Sequence, residues 1–135
     1  MKTRLRDTWN AGSAGLNAWL SMPGSVSAEI TARQDLDAVT IDLQHGLSDY
    51  QAALGMLQAT EPGSATPMAR VPWLEPGIIM KLLDAGALGI ICPMVNTPAD
   101  AENLVRYAHY APRGTRSFGP TRALMTYGAD YPGQA

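Results

Sequence analysis

Strand-like and helix-like segments alternate four times along this chain, and the alternation limits its fold more than any other feature. The strand-like segments are residues 16–20, 39–43, 67–71 and 88–95. Each is followed by a segment with helical spacing of apolar residues, and the last strand-like segment is apolar throughout, as expected of a strand covered on both faces. Because strands that alternate with helices form parallel, right-handed βαβ units, the sequence predicts an α/β fold with four βα units.

Start and stop signals place the helices. The first helix opens near Ser27, and Ser48 with Gln51 has the spacing of a capping box. Pro76 suits a first helical turn and Gly86 a helix end. The predicted buried stripes are Tyr50, Ala53, Leu54 and Leu57 in the second helix, Ile78, Ile79, Leu82 and Leu83 in the third, and Ala101, Leu104, Val105 and Ala108 in the fourth. Thr97 is the predicted cap of the fourth helix.

The pattern changes after residue 112. Residues 114–120 have the composition of a glycine-bearing loop, residues 121–127 predict a short helix, and no further strand follows. We expect residues 1–135 to form a single domain. Four parallel strands make half of an eight-stranded barrel, whereas an open sheet of four would leave two unpaired edges. Both a small self-sufficient sheet and a piece of a larger barrel are compatible with the pattern.

Composition excludes several classes of protein. A net charge of −2 leaves no basic surface for nucleic acid or an anionic membrane. The longest apolar segment, residues 85–95, is too short to span a bilayer, and residues 1–10 lack the apolar stretch of a secretory signal, so we expect a cytoplasmic location. Cys92 is the only cysteine, which rules out an internal disulfide and is typical of a small buried apolar residue.

Polar residues collect where the second predicted strand ends. Asp42, Gln44, His45 and Gly46 follow an alternating apolar run, and Arg70 occupies the matching place on the next strand. Ligands bind at the carboxyl ends of parallel strands, so these side chains are candidates for a binding or catalytic site. The alternative is a strand end satisfied by its own hydrogen bonds, with Arg70 only an ion-pair partner of Asp42.

The order of motifs along the chain resembles the HpcH/HpaI aldolase family over about residues 19–123. The motifs are Asp42-x-Gln44-His45-Gly46, Arg70, Lys81-Leu82-Leu83-Asp84-x-Gly86, Pro93-Met94-Val95, Pro112-x-Gly114-x-Arg116 and Gly119-x-x-Arg122-Ala123. The resemblance implies a (β/α)8 TIM barrel, an oligomer, and a metal-dependent class II aldolase that cleaves or forms hydroxy-keto acids to pyruvate and an aldehyde. The residues do not indicate which aldehyde.

The resemblance also implies roles for individual residues. His45 matches the general base, Arg70 the arginine that binds the keto-acid oxygens, and Asp84 an aspartate linked with the catalytic histidine. Imidazole titrates near neutral pH and a guanidinium offsets the charge of an enolate, as this chemistry requires. Gln44 stands where many members carry an acidic residue, and is expected to contact substrate or orient a water.

Two of these roles have alternatives in the predicted topology. Asp84 precedes the fourth strand, at the opposite end of the sheet from His45, so a pair between them would require a neighbouring subunit; otherwise Asp84 faces solvent near its helix end. Trp73 is expected either to line the mouth of the site or to pack. His109, on the fourth helix, is expected at the surface or in an interface.

The resemblance implies a divalent cofactor, Mg²⁺ or Mn²⁺, whose glutamate and aspartate ligands lie on strands beyond those of this sequence. We therefore expect this chain, as the N-terminal part of such an aldolase, to show little turnover by itself. Two other functions stay open: a half-barrel that self-associates through apolar barrel-facing residues such as Ile41, Leu43, Ile90 and Met94, and a module that binds a keto acid without catalysis.

Overall fold

Four parallel strands form one sheet in the computed structural model, which describes residues 3–135. The strands, in their spatial order, are β1 (Asn17–Leu20), β2 (Ala38–Asp42), β3 (Thr66–Arg70) and β4 (Gly89–Ile91). The helices are α1 (Arg4–Asn10), α2 (Ser25–Ala32), α3 (Tyr50–Thr60), α4 (Pro76–Asp84), α5 (Pro98–Ala108), α6 (Thr121–Tyr127) and α7 (Tyr131–Gln134). The predicted order of four βα units is confirmed. None of these helices is long and apolar enough to cross a membrane.

The register of the sheet brings the candidate site residues to one edge. Asp42 at the end of β2 is the direct neighbour of Arg70 at the end of β3, and Arg70 is the neighbour of Ile91 on β4. All three pairs of adjacent strands are parallel, so their carboxyl ends lie together. Loops that follow β2 and β3 therefore leave the same edge of the sheet.

The core lies on the face of the sheet that the helices cover. Ile41, Leu43 and Ala69 from the β2 and β3 region pack with helix residues such as Met56 and Ile79. Burial of a larger side chain such as Ile41 or Met56 contributes about 1.5–3 kcal/mol. The prediction that Ile41, Leu43 and Ile90 face a barrel interior is wrong, because Ile41 and Leu43 belong to this helix-side core and Ile90 packs against it.

The opposite face of the sheet carries polar and aromatic side chains. Side chains alternate between faces along a strand, so Thr40 and Asp42 point away from Ile41. Asn17 on β1 is hydrogen-bonded to Thr40, with 2.9 Å between Asn17 Nδ2 and Thr40 Oγ1. Trp19 and Arg70 lie on this face by register with Thr40 and Asp42. The functional candidates therefore occupy the face that no crossover helix covers.

The helix starts follow the sequence signals with one exception. Glu75 caps α4 ahead of Pro76, and Thr97 forms a capping box with Asp100 at the start of α5. The start of α3 is not the predicted Ser48 box: Asp49 is the cap, and its carboxylate accepts a hydrogen bond from the backbone N–H of Ala52. Ser48 is instead buried, with its hydroxyl 3.6 Å from the sulfur of Met56.

The end of α4 depends on a glycine. Gly86 has φ of +109°, a conformation that a side chain would strain, and it follows the helix as expected. The buried face of α4 is confirmed by Ile79, Leu82 and Leu83. On α5 the predicted stripe is only half right, because Leu104 and Ala108 contact the core whereas Val105 is 46% exposed.

The fourth strand is shorter and less covered than its apolar sequence predicts. It ends at Ile91, and all three of its residues are only partly buried. Within residues 3–135 it pairs with β3 alone, which leaves its other edge open. Pro93 has no N–H for a strand ladder, and Met94 turns the chain with φ of +56°. These two residues end the strand at the same edge as the candidate site.

Two helices have no counterpart in the predicted pattern. In α1, the N–H of Leu5 donates to Thr66 at 3.1 Å, and the hydroxyl of Thr8 donates to Asp37 at 2.6 Å, so this helix covers the amino-terminal edge of the sheet. In α7, the buried Tyr131 donates to the carbonyl of Leu83 at 3.3 Å. Both helices are held by long-range contacts that local spacing does not reveal.

Candidate functional site

A bidentate ion pair joins the carboxyl ends of β2 and β3. Arg70 donates to Asp42 through Nε at 2.8 Å and Nη2 at 2.7 Å. The side chain of Asp42 is 2% exposed and that of Arg70 is 22% exposed. The hydrogen bond from Arg70 is the main reason that the pKa of Asp42 lies well below its usual range, and the same bond raises the pKa of Arg70. The pair is therefore charged at neutral pH and fixed in orientation.

Asp42 also folds the loop that carries Gln44 and His45. Its Oδ1 accepts hydrogen bonds from the backbone N–H of Gln44 at 3.0 Å and of His45 at 3.4 Å. Gly46 allows this close return, because a Cβ there would lie 2.2 Å from the backbone oxygen of Asp42. The motif residues are thus held together by one carboxylate that also holds Arg70.

The two side chains of this loop differ in exposure. Gln44 is half-buried, whereas His45 is exposed. Among residues 3–135 the His45 imidazole has no hydrogen-bond partner. An exposed imidazole in the loop that Asp42 holds is open to a bound ligand or to water. The structure therefore brings Gln44, His45 and Arg70 to one edge of the sheet.

Trp19 belongs to this cluster, and sequence reasoning missed it. Its indole N–H lies 3.3 Å from Asp42 Oδ2, and its ring lies under the guanidinium of Arg70 with 4.9 Å between Cζ and the ring centroid. The available signal was its position near the end of the first predicted strand, on the strand adjacent to β2. Periodicity marks such a residue as a strand residue and does not show which neighbour it touches.

Asp84 is at the other end of the sheet. It is the last residue of α4, which runs back from the end of β3 to the start of β4. Its Oδ1 accepts a hydrogen bond from Arg116 Nη2 at 2.5 Å, and the same nitrogen donates to Tyr131 at 3.1 Å. The Arg116 side chain is 1% exposed and that of Asp84 is 20% exposed. Within one chain, Asp84 is therefore bound to Arg116 and is separated from the His45 loop.

Among residues 3–135, the remaining candidates make no hydrogen bond or ring contact with Asp42 or Arg70. Trp73 is 57% exposed, beyond the end of β3. His109 is half-buried at the end of α5, with its Nδ1 3.1 Å from the backbone oxygen of Ala135. Cys92 is half-buried against the core, and burial raises the pKa of its thiol, so it is a poor nucleophile.

The described residues do not fit a divalent metal site. Among residues 3–135 there is no group of three or more His, Cys, Asp or Glu side chains close enough to share an ion. The buried Asp42 has both oxygens engaged, since Oδ1 and Oδ2 each accept from Arg70. Mg²⁺ and Mn²⁺ require several oxygen ligands, which this cluster does not supply.

Comparison with known proteins points to one family. The family model described as HpcH/HpaI aldolase/citrate lyase matches residues 17–128. A hydroxypyruvate/pyruvate aldolase of Rhizorhabdus wittichii is 51% identical over 132 residues, which cover 98% of this chain and 53% of that protein. A 4-hydroxy-2-oxo-heptane-1,7-dioate aldolase of Salmonella paratyphi C is 37% identical over 123 residues, covering 91% and 47%.

A solved structure agrees with these sequence matches. The crystal structure of an HpcH/HpaI aldolase/citrate lyase family protein from Burkholderia cenocepacia superimposes with a TM-score of 0.87 at 29% identity. The match covers 99% of this chain and 56% of that one. The chain therefore spans about half the length of the relatives that it matches.

Proposed function

The chain belongs to the HpcH/HpaI aldolase/citrate lyase family, and we propose that it is part of a carbon–carbon lyase that forms or cleaves a hydroxy-keto acid. The Asp42–Arg70 pair alone is what a purely structural strand end would also show. The observation that supports the proposal most strongly is that Arg70, although bound to Asp42, is still 22% exposed at the carboxyl edge of the sheet to which the exposed His45 also belongs. The hydroxypyruvate/pyruvate aldolase of Rhizorhabdus wittichii supports pyruvate or hydroxypyruvate as the keto-acid half, and the Salmonella aldolase supports a hydroxy-keto acid as the compound that is cleaved. The names of these relatives do not specify the aldehyde half.

The proposed chemistry uses the residues in the roles that the family resemblance implies. His45 takes a proton from the carbon next to the keto group, and the electron pair moves to the keto oxygen to form an enolate. Arg70 donates hydrogen bonds to that oxygen and to the carboxylate of the keto acid, which offsets the charge that develops. The enolate carbon then bonds to the aldehyde carbon, and the new alkoxide takes up a proton. Gln44 contacts the substrate or orients a water.

We assign no step to a metal, because the described residues do not fit one. The family resemblance supports Mg²⁺ or Mn²⁺ as cofactor. Ligands for it would have to come from outside the Asp42, His45 and Arg70 cluster.

We propose that Asp84 pairs with His45 of a second copy of the chain, across a contact between the two copies. Asp84 lines an open cleft of about 670 Å³ between α3 and α6, together with Tyr50, Glu61 and Arg122. A contact between two copies at this cleft would make the protein a homo-oligomer, which is accordingly part of the proposal. We also propose that the protein is cytoplasmic.

The test of the keto-acid site is binding. Pyruvate and oxalate are titrated calorimetrically into the chain, into Arg70→Ala and into the control Arg33→Ala. Arg33 is an exposed arginine whose ion pair with Glu29 lies on α2 and just after it, so removing it controls for the loss of charge. We expect binding to be lost in Arg70→Ala and kept in the control. Equal affinity of Arg70→Ala and the parent chain would refute the proposed site.

The test of the base is hydrogen exchange. In D₂O with Mg²⁺ or Mn²⁺, proton NMR follows the loss of the pyruvate methyl signal, which reports deprotonation without an aldehyde. His45→Gln is expected to abolish any exchange that the parent chain catalyses, while the only other histidine, changed in His109→Gln, leaves it unaltered. Exchange that survives in His45→Gln would contradict the role of His45.

The alternative is a function without catalysis, either a half-barrel that self-associates or a module that only binds a keto acid. Among residues 3–135, β1 and β4 each pair on one side only, and the helix-free face carries a 43% exposed Trp19. Open edges of this kind associate with other strands. Light scattering on a sizing column gives the mass in solution. A monomer that binds pyruvate would refute the self-associating half-barrel. Pyruvate binding that survives EDTA, without methyl exchange, would favour the non-catalytic module.

A further inference from the structure

The guanidinium of Arg70 is restrained on two sides by neighbouring strands. Asp42 on β2 takes the Nε and Nη2 hydrogens along one edge. The guanidinium carbon Cζ lies over the ring of Trp19 on β1, 4.9 Å from the ring centroid. A planar cation held by an in-plane carboxylate and an indole face loses most of its rotational freedom.

A third contact, between Trp19 and Asp42, completes this restraint of Arg70. The Trp19 indole N–H lies 3.3 Å from Asp42 Oδ2, the oxygen that also accepts from Arg70 Nη2. Trp19, Asp42 and Arg70 therefore contact one another in a triangle across three adjacent strands. Neither the tryptophan nor the arginine can swing away without breaking a contact to the buried carboxylate.

The triangle leaves one edge of the arginine available. Among residues 3–135, Nη1 of Arg70 has no hydrogen-bond partner, and the side chain retains 22% exposure. The Nη1 hydrogens and the second Nη2 hydrogen form an end-on fork that is free to bind a planar anion. The side-on fork is already occupied by Asp42.

We propose that Trp19 is a positioning residue, which with Asp42 fixes Arg70 so that its Nη1 edge, and not its Nε edge, is presented to a bound keto acid. The part that concerns the ligand rests on the proposed function; the fixing of Arg70 does not. Trp19 touches the arginine and acts through it, and its exposed part forms a wall of the site beside the ligand.

Two variants separate the ring from its N–H. Trp19→Phe keeps an aromatic face under the guanidinium and removes the bond to Asp42, whereas Trp19→Leu removes both. Trp73→Leu is the matched control, because Trp73 is also exposed but has no ring–cation contact with Arg70. A residue that only fills space would be replaced equally well by leucine and phenylalanine.

The readout without ligand is the Nε–H signal of Arg70 in ¹H–¹⁵N NMR spectra, assigned by its loss in Arg70→Lys. We expect a ring-current shift and slow exchange with water in the parent chain, in Trp19→Phe and in Trp73→Leu. In Trp19→Leu the ring-current shift should vanish and exchange should accelerate roughly tenfold, as loss of a cation–π contact of typical strength implies. An unchanged signal in Trp19→Leu would overturn the proposal.

The readout with ligand is the dissociation constant of oxalate, a planar dianion with the shape of an enolised keto acid. We expect it to rise about tenfold in Trp19→Leu and less than threefold in Trp19→Phe and Trp73→Leu. Equal oxalate affinity in Trp19→Leu and the parent chain would overturn the link from Trp19 to the ligand. Absence of oxalate binding in the parent chain would instead refute the proposed function, while the ligand-free spectra still decide whether Trp19 fixes Arg70.

Discussion

Replacing Asp42 by asparagine tests whether one carboxylate holds the site together. The side chain is 2% exposed and accepts five hydrogen bonds. Oδ1 accepts from Arg70 Nε, Gln44 N and His45 N, and Oδ2 accepts from Arg70 Nη2 and Trp19 Nε1. An asparagine of the same shape has a single acceptor oxygen. With that oxygen at the Oδ1 place, the amide NH₂ faces two donors, and the bonds at 2.7 and 3.3 Å are lost.

The expected loss follows from those two bonds. A hydrogen bond to a charged group contributes about 1.5–3 kcal/mol, and the longer bond to the indole belongs at or below the low end. We expect the free energy of unfolding to fall by about 3 kcal/mol, near the lower bound for breaking a buried pair. The lower bound applies because the partly exposed Arg70 regains water when its partner is neutral.

Urea unfolding followed by far-ultraviolet circular dichroism measures this loss. The control is Asp35→Asn, which removes an ion pair with Arg4 in which Asp35 is 94% exposed, and which should cause no measurable change. Similar unfolding midpoints for Asp42→Asn and Asp35→Asn at pH 7 would refute the reasoning.

The pH dependence of the stability difference between the parent chain and Asp42→Asn is a second test, and its direction follows from the pKa of Asp42. The pKa of Asp42 is lowered in the folded state, chiefly by the hydrogen bond from Arg70. The stability it contributes is therefore fully present above the unfolded pKa of about 4 and is lost as the pH falls through the folded pKa. The stability gap between the parent and Asp42→Asn should be constant from about pH 6 to 8 and shrink below about pH 4. A gap that widens on acidification would contradict the assignment.

Three further predictions concern local structure, each measured by the same urea unfolding. Asp49→Ala should lower the free energy of unfolding by about 1 kcal/mol, whereas Gln51→Ala should have a much smaller effect, because the capping box predicted from sequence does not form; equal effects would contradict this. Gly46→Ala should destabilise by about 2 kcal/mol or more, since its Cβ would meet backbone; a neutral result would show that the loop can move aside. Arg116→Met should cost about 2–4 kcal/mol by leaving Asp84 without its partner, and Arg113→Met, which changes an exposed arginine nearby, is its control.

The predicted architecture is confirmed where local signals are strong. The spacing of apolar residues places the strands, and proline, glycine and threonine signals place the ends of α4 and the start of α5. The four βα units and the structural neighbour confirm the prediction of one part of the (β/α)8 barrel family. Ser48 was misassigned because Asp49, one residue later, offers a second cap whose carboxylate reaches the Ala52 N–H.

Alternation of apolar residues along a strand does not specify which face of the sheet they occupy. This explains the wrong prediction that Ile41 and Leu43 face a barrel interior. The sequence assigns Ile41 and Leu43 to one face of a strand but not to the helix side or the open side. The choice is made by the crossover helices, which all cover the face that carries Ile41 and leave Asp42 on the other. The half-exposed stripe of α5 has the same origin, because a helix turns toward whichever surface it packs on.

By itself, the sequence determined that His45 and Arg70 follow adjacent parallel strands and so share one edge of the sheet. The sequence also offered Arg70 as an ion-pair partner of Asp42, and only the tertiary structure decided that this pair forms. Only the tertiary structure decided, in addition, that Asp42 binds the His45 loop, that the guanidinium lies over the ring of Trp19, and that Asp84 binds Arg116 at the far edge. The physical reason is the distance along the sequence between the residues that interact. Strand order and chain direction follow from local periodicity, whereas side-chain partners depend on register and rotamer between segments distant in sequence, which local spacing does not encode.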